Sequence, residues 1–427
     1  MLPLNREFSH VARSMTRDLL GYISHDDFIS FAGGAPDPTL LDTSGIAECV
    51  RTVLDNGGPD IFQYSVTEGE PELRQAMVQE MRRRHLPARA DNILISTGSQ
   101  EILFLLARVI INPGDTVLVE APTYPAAIQA FTMAGARVIP VPCDDNGIIP
   151  SELERALRDY DPVITYLIPV FQNPTGHSMT DCRKDAVRRV LAGHRSLLVE
   201  DDAYSPLAFD GNVREPLCHT YESESGAVYL ASLSKFLSPA FRIGAALLPD
   251  WLLQPMVVAK QVSTLHGSVI DQRAAALWLN RVEPDGVSSR DRALETMRST
   301  YRARCNALRT ELLDIVPDGT HITDPEGGMF VWIDFPDELR PQVNTLSLID
   351  EAIDHEIAFV PGTEFFPHDS QPTSVYRNVE RKNSTTINAD TKLKGQLSIR
   401  FSFAGNSIPV MKTGMERFAT VLQDALR

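Results

Sequence analysis

The sequence predicts an α/β protein in which a large unit, built on a mainly parallel sheet of seven strands, is joined to a smaller α+β unit. Two observations carry this expectation. From about residue 93 to residue 248, short β-branched apolar runs alternate with longer segments of helical period, as they do where helices cross over between parallel strands. After Trp251 the pattern changes to long helices rich in Ala, Leu and Arg, then to a few short strands. A chain of 427 residues, 43% hydrophobic, has enough apolar surface for more than one core.

The strand candidates of the large unit are Ile93 to Thr97, Thr116 to Glu120, Arg137 to Val141, Val163 to Ile168, Ser196 to Glu200, Val228 to Ala231 and Ile243 to Leu248. Between them Glu101 to Ile111, Pro125 to Ala134, Ser151 to Tyr160 and Asp181 to Ala192 read as helices. Pro113-Gly114-Asp115, Asp145-Asn146-Gly147 and Asn173-Pro174-Thr175-Gly176 supply turns, because their backbone preferences interrupt helix and strand alike. The smaller unit contributes strands at Met329 to Phe335, Ile357 to Val360 and Gln396 to Phe403. The expected division is residues 1–45 returning to the smaller unit, 46–290 forming the large one and 291–427 completing the smaller one. No internal repeat is evident.

Lys plus Arg total 40 against 56 Asp plus Glu, so a formal net charge of -16 repels nucleic acid and acidic membrane surfaces. The cysteines, five in number, contain no CxxC pair, which argues against a disulfide framework or a structural zinc site and for a reducing, cytoplasmic compartment; no metal is expected. The N-terminus lacks an apolar run, and the most apolar stretch, Ile102 to Ile111, is interrupted by Arg108, so neither a signal peptide nor a membrane span is expected.

The chemistry concentrates at strand ends. Lys235 closes Ser232-Leu233-Ser234-Lys235 after the apolar strand Val228 to Ala231, with Arg242 seven residues on. A lysine there suits a Schiff-base cofactor: apolar surroundings favour the free amine, while hydroxyls and guanidinium can hold a phosphate. A surface lysine after a strand would explain Lys235 alone, but other segments agree. A carboxylate of Glu200-Asp201-Asp202 stands where ligands of open α/β sheets bind. Gly98-Ser99-Gln100 opens a helix whose N–H groups attract a phosphate, although an ordinary helix cap reads the same way. Asn173 offers an amide to a phenolate-like oxygen. Ser99, Asn173, Asp201, Lys235 and Arg242 each lie at or beyond the end of a different expected strand, a coincidence hard to explain structurally.

This ordered set resembles the fold-type-I enzymes dependent on pyridoxal 5′-phosphate, specifically the class I aminotransferases, and within them the 2-aminoadipate and kynurenine aminotransferase branch. The resemblance rests on Phe31-Ala32-Gly33-Gly34-Ala35-Pro36, Gln63-Tyr64-Ser65, Gly69, Pro122-Thr123-Tyr124-Pro125, NPTG at Asn173, EDDAY at Glu200, SLSK at Ser232, and Arg400 in Ile399-Arg400-Phe401-Ser402. It implies that Lys235 carries the cofactor and shuttles the substrate Cα proton, and that Asp201 pairs with the pyridinium nitrogen. Asn173 and Tyr204 would bind the ring oxygen, and Tyr124 would stack on the ring. Ser99, Gln100, Ser232, Ser234 and Arg242 would hold the phosphate, with Tyr64 reaching it from the second subunit of a homodimer. Arg400 would clamp the substrate carboxylate with Asn173 also at the substrate, Gly34 would let backbone approach the substrate, and Arg13 would either contact a substrate side chain or stand as a plain solvated arginine.

The expected reaction is amino transfer from an amino acid to a 2-oxo acid. Elimination, replacement, cyclisation or oxidation from the same Cα carbanion is the alternative enzyme reading, and a cofactor-binding regulator without turnover is the alternative outside enzymes. Residues His368 to Gly395, longer than the corresponding family connection, carry Arg377, Arg381, Lys382, Lys392 and Lys394 against Asp369, Glu380 and Asp390, five minus three or +2. They are read either as a cover for an anionic second substrate or as a plain surface insertion.

Overall fold

The computed structural model describes residues 27–221, 223–367 and 395–427, together with Phe8 and Val11. Arg13 and residues 368–394 lie outside the described residues. Among the described residues no helix is long and apolar enough to cross a membrane.

The central sheet has the order Ile93–Ser96, Gly244–Leu247, Ala227–Ser232, Leu197–Asp202, Ile164–Leu167, Thr116–Ala121, Arg137–Asp144, Gly147–Ile148. Neighbours from Ala227–Ser232 to Arg137–Asp144 run parallel, whereas Gly244–Leu247 is antiparallel to both of its neighbours. All seven expected strands are present. The eighth, Gly147–Ile148, turns back on Arg137–Asp144 through the segment read from sequence as a turn only, pairing Cys143 with Ile148.

Alternation along each strand decides which helices cover which face. Val117, Val119 and Val199 pack with Leu103 and Leu106 of helix Ser99–Ile110 and Met256 of helix Asp250–Ser263. Leu118 and Leu198 point to the other face, against Leu153 and Leu157 of helix Pro150–Tyr160 and Val187 and Leu191 of helix Asp181–Ala192. Burial on both faces accounts for the unbroken apolar runs in the sequence. Proline at the first turn of helices Pro125–Met133 and Pro150–Tyr160 supplies a suitable φ where an N–H would have no helical partner.

A second, antiparallel sheet has the order His321–Ile322, Phe330–Asp334, Ser398–Ser402, Val360–Pro361. The expected strand Ile357 to Val360 is split: Ile357–Ala358 pairs in parallel with Ile29–Ser30, and Val360–Pro361 joins the four-stranded sheet. Phe359 between them is fully buried against Phe401 and Phe418, ring centroids 5.8 and 5.6 Å away, and this aromatic packing accompanies the change of partner. The N-terminal segment is tied in again by Ser402 N–H donating to the Phe31 carbonyl (2.8 Å).

The register places Ser96, Ala121, Leu167, Asp202 and Ser232, together with the start of Gly244–Leu247, along one edge of the large sheet. Ligands of open α/β sheets bind outside such an edge.

Candidate active site

Lys235 lies three residues beyond the strand Ala227–Ser232. Its Nζ donates to the Gly34 carbonyl at 2.8 Å and stands 5.9 Å from the Tyr204 ring centroid. Burial, then the positive charges of Arg242 and Arg400, push its pKa down to about 8, although Asp201 pulls the other way. About a tenth of such a lysine is free amine at pH 7, far more than at the ordinary lysine value, and the free amine is the form that attacks a carbonyl.

The three acidic residues of the Leu197–Asp202 strand have different fates. Glu200 accepts the N–H groups of Leu217 (2.9 Å) and Cys218 (2.7 Å). Asp202 accepts from Ser205 N–H (2.9 Å) and the Tyr229 hydroxyl, with Arg84 at 3.9 Å. Asp201 receives the Tyr166 hydroxyl on Oδ2 at 2.7 Å, while its buried Oδ1 has no hydrogen-bond partner among the described residues. Burial raises the Asp201 pKa to about 6, with the neighbouring Asp202 charge adding to the rise and the Tyr166 bond and Lys235 opposing it. A buried acceptor without a donor fits a protonated ring nitrogen placed against it.

Gly98, with φ 80°, is the N-cap of helix Ser99–Ile110, so Ser99 is the first helical residue and not the cap. A Cβ on Gly98 would fall 2.5 Å from Arg242 Nη2, which means that the guanidinium lies directly over the glycine. Gly244 is equally close: a Cβ there would meet the Ser99 nitrogen at 2.5 Å. Ser232 pairs with Gly244 across the sheet, and its Oγ accepts the Ser234 N–H at 3.2 Å. Helix N–H groups, two serines and an arginine thus surround a seat with the chemistry of a phosphate site.

Arg400, on Ser398–Ser402, is buried with its guanidinium carbon 4.3 Å from the Phe330 ring centroid and 4.9 Å from that of Phe365. Its Nη1 donates to Asn173 Oδ1 (2.8 Å), its Nη2 to the Ala32 carbonyl (2.6 Å), and its buried Nε has no partner among the described residues. Burial pushes its pKa down to about 10, still charged at neutral pH. Asn173 Nδ2 reaches toward the Tyr204 hydroxyl at 3.5 Å. The guanidinium therefore has room in its hydrogen-bonding capacity for a carboxylate, and Phe330 also sets the width beside Gly34, where a Cβ would come within 3.3 Å of its ring.

Tyr124 is half-buried at the start of helix Pro125–Met133. Tyr64 is 79% exposed beside His266, its ring 5.8 Å away, so within one chain it stands on the surface. Sequence reasoning missed Tyr166, the Ala32 and Gly34 carbonyls, Phe330 and Phe365. The strand period placed Tyr166 in the sheet, but only its register opposite Val199 brings it beside Asp201.

The mixed α/β architecture is that of the fold-type-I enzymes dependent on pyridoxal phosphate. Residues 35–371 match the family model for aminotransferases of class I and II, and the chain belongs to that family. It is 36% identical over 359 residues to 2-aminoadipate transaminase of Thermus thermophilus, covering 83% of this chain and 86% of that protein. It is 34% identical over 377 residues to aromatic-amino-acid aminotransferase 1 of Thermococcus litoralis, covering 86% and 88%. A crystal structure of Pyrococcus horikoshii kynurenine aminotransferase, in complex with pyridoxamine phosphate (PMP), superposes with a TM-score of 0.85 at 29% identity, covering 99% of this chain and 98% of that one. The protein is a pyridoxal phosphate-dependent enzyme that transfers amino groups.

Proposed function

We propose that Lys235 carries pyridoxal phosphate and moves the proton at the substrate Cα, with Asp201 facing the ring nitrogen. A pyridoxal phosphate held by these residues would supply an electron sink for the substrate Cα. Ser99, Gln100, Ser232, Ser234 and Arg242 hold its phosphate, Asn173 and Tyr204 bind its ring oxygen, and Tyr124 lies against its face. Arg400 receives the substrate α-carboxylate, for which a planar guanidinium offers two parallel donors. The observation that carries this reading is the convergence, at one sheet edge, of a lysine with pKa near 8 and a buried carboxylate oxygen that lacks a donor.

The donors proposed are amino acids with large side chains, in line with the aromatic-amino-acid and 2-aminoadipate activities in the names of the relatives. The homodimer is supported by the exposed apolar side chains of Phe62, Tyr64, Val66, Val258 and Val262; Tyr64 of a second copy then completes the phosphate seat. A cytoplasmic location is supported by five cysteines without a disulfide.

Incubation with an amino donor and a 2-oxo acid should yield the exchanged pair in equal amounts. Release of ammonia in their place would overturn the amino-transfer assignment. Arg400→Ala should raise KM for donors about 10- to 100-fold, the worth of charge-assisted hydrogen bonds, with cofactor content unchanged; loss of the cofactor would show that Arg400 is structural.

A further inference from the structure

Glu120 has no place in the site described above, yet it is 1% exposed near the end of the strand Thr116–Ala121, which leads directly to Tyr124. Its Oε2 accepts the Ile168 N–H at 2.8 Å, and the Gln172 side chain donates to the same carboxyl. Gln172 continues the chain of bonds. Its Nε2 donates to the Pro122 carbonyl at 2.6 Å, while its Oε1 accepts Thr175 N–H (2.9 Å) and the Thr175 hydroxyl (2.8 Å). Pro122 is two residues from Tyr124, and Gln172 is bonded through the main chain to Asn173.

Two connecting segments from neighbouring parallel strands are thus cross-braced by the Gln172–Pro122 bond, with the buried Glu120 carboxyl tying Gln172 and Ile168 to the preceding strand. No strand hydrogen bond could do this, because the pairing of Thr116–Ala121 with Ile164–Leu167 ends at Val119 and Tyr166. The groups around the carboxyl are Cys143 and Tyr166, and an adjoining cavity of ≈ 20 Å³, room for about one water, is also lined by Asp144 and His177. Burial raises the Glu120 pKa to about 8, so at neutral pH the brace is mainly the uncharged acid.

We propose that Glu120 is a positioning residue which, through Gln172, sets the spacing between Tyr124 and Asn173 without touching cofactor or substrate. The proposal rests on the roles assigned above to those two residues. Its physical basis is that side chains held by two separate loops keep sub-ångström register only when the loops are tied to each other as well as to the sheet.

The test uses the cofactor-loaded enzyme and compares Glu120→Ala, Glu120→Gln and Gln172→Ala by the circular dichroism of the bound cofactor, kcat, KM and Tm. Glutamine preserves an acceptor for the Ile168 N–H and a donor in place of the acid proton, whereas alanine removes both. The expected result is a changed cofactor dichroism and a roughly 10- to 100-fold lower kcat in the two alanine variants, with recovery in Glu120→Gln. Gln172→Ala reports on the brace even if Glu120→Ala does not fold. Wild-type dichroism and kcat in the alanine variants that fold, or a lower Tm as the only change, overturns the proposal. Tyr124→Ala and Asn173→Ala serve as controls: if they too leave the dichroism unchanged, the fault lies with the site assignment and not with the brace.

Discussion

The Tyr166 hydroxyl donates a 2.7 Å hydrogen bond to Asp201 Oδ2, while Oδ1 of the same carboxylate accepts from none of the described residues. One oxygen is therefore held by the protein and the other kept for a ligand. Tyr166→Phe removes the only side-chain hydrogen-bond donor to Asp201 among the described residues and leaves the Lys235 charge alone against burial, so the Asp201 pKa rises further above about 6. The acidic limb of the kcat profile should move to higher pH, with cofactor still bound. An unchanged limb would mean that Asp201 ionisation does not govern turnover.

The depressed Lys235 pKa makes a prediction about loading. The reactive form is the free amine, whose fraction grows as pH rises through about 8. The rate at which apoprotein takes up pyridoxal phosphate should climb with pH and level off above that value, as followed by the visible absorbance of the product. Lys235→Ala should lose turnover, and borohydride reduction followed by peptide mapping should locate the cofactor on Lys235 in the parent enzyme. The linkage sign is also fixed: a lysine depressed on folding makes the apoprotein more stable as pH rises from about 8 toward the ordinary lysine range, a slope that Lys235→Met should reduce but not abolish, because burial pushes the Lys260 pKa to about 8 as well.

Gly98→Ala tests the phosphate seat. At φ 80° an alanine is strained, and its Cβ would displace the Arg242 guanidinium. Equilibrium dialysis should show weaker cofactor binding, and unfolding of the apoprotein should show a loss of about 1–2 kcal/mol. Undiminished affinity would separate Arg242 from the cofactor.

Arg304 and Asp37 form a buried ion pair at 2.6 Å, reinforced by the Arg304 bond to the Ala404 carbonyl and by the Tyr301 hydroxyl accepting the Asp37 N–H at 3.2 Å. It fixes the segment that contributes the Ala32 and Gly34 carbonyls to Arg400 and Lys235. Arg304→Met leaves a buried carboxylate unpaired and should cost about 3–5 kcal/mol in denaturant unfolding. A loss well under 1 kcal/mol would show that the pair is dispensable to the fold.

Strand and turn order was legible in the chain, because a sheet covered on both faces writes unbroken apolar runs and its connections need Gly, Pro, Asn or Asp. For the same reason Ser99, Asn173, Asp201, Lys235 and Arg242 could be placed at strand ends from local pattern alone. What the pattern could not decide was which acid of Glu200-Asp201-Asp202 keeps an open acceptor: that depends on Leu217, Cys218, Ser205, Tyr229 and Tyr166, brought in from other elements. Nor could it pair Lys235 with Gly34, 201 residues away, or Arg400 with Ala32, 368 away. It gave no hint of the Glu120 brace, whose glutamate reads as one more strand residue. Periodicity records whether a side chain faces a core; the hydrogen-bond partner it meets there is set by strand register and loop approach, and these exist only in the folded chain.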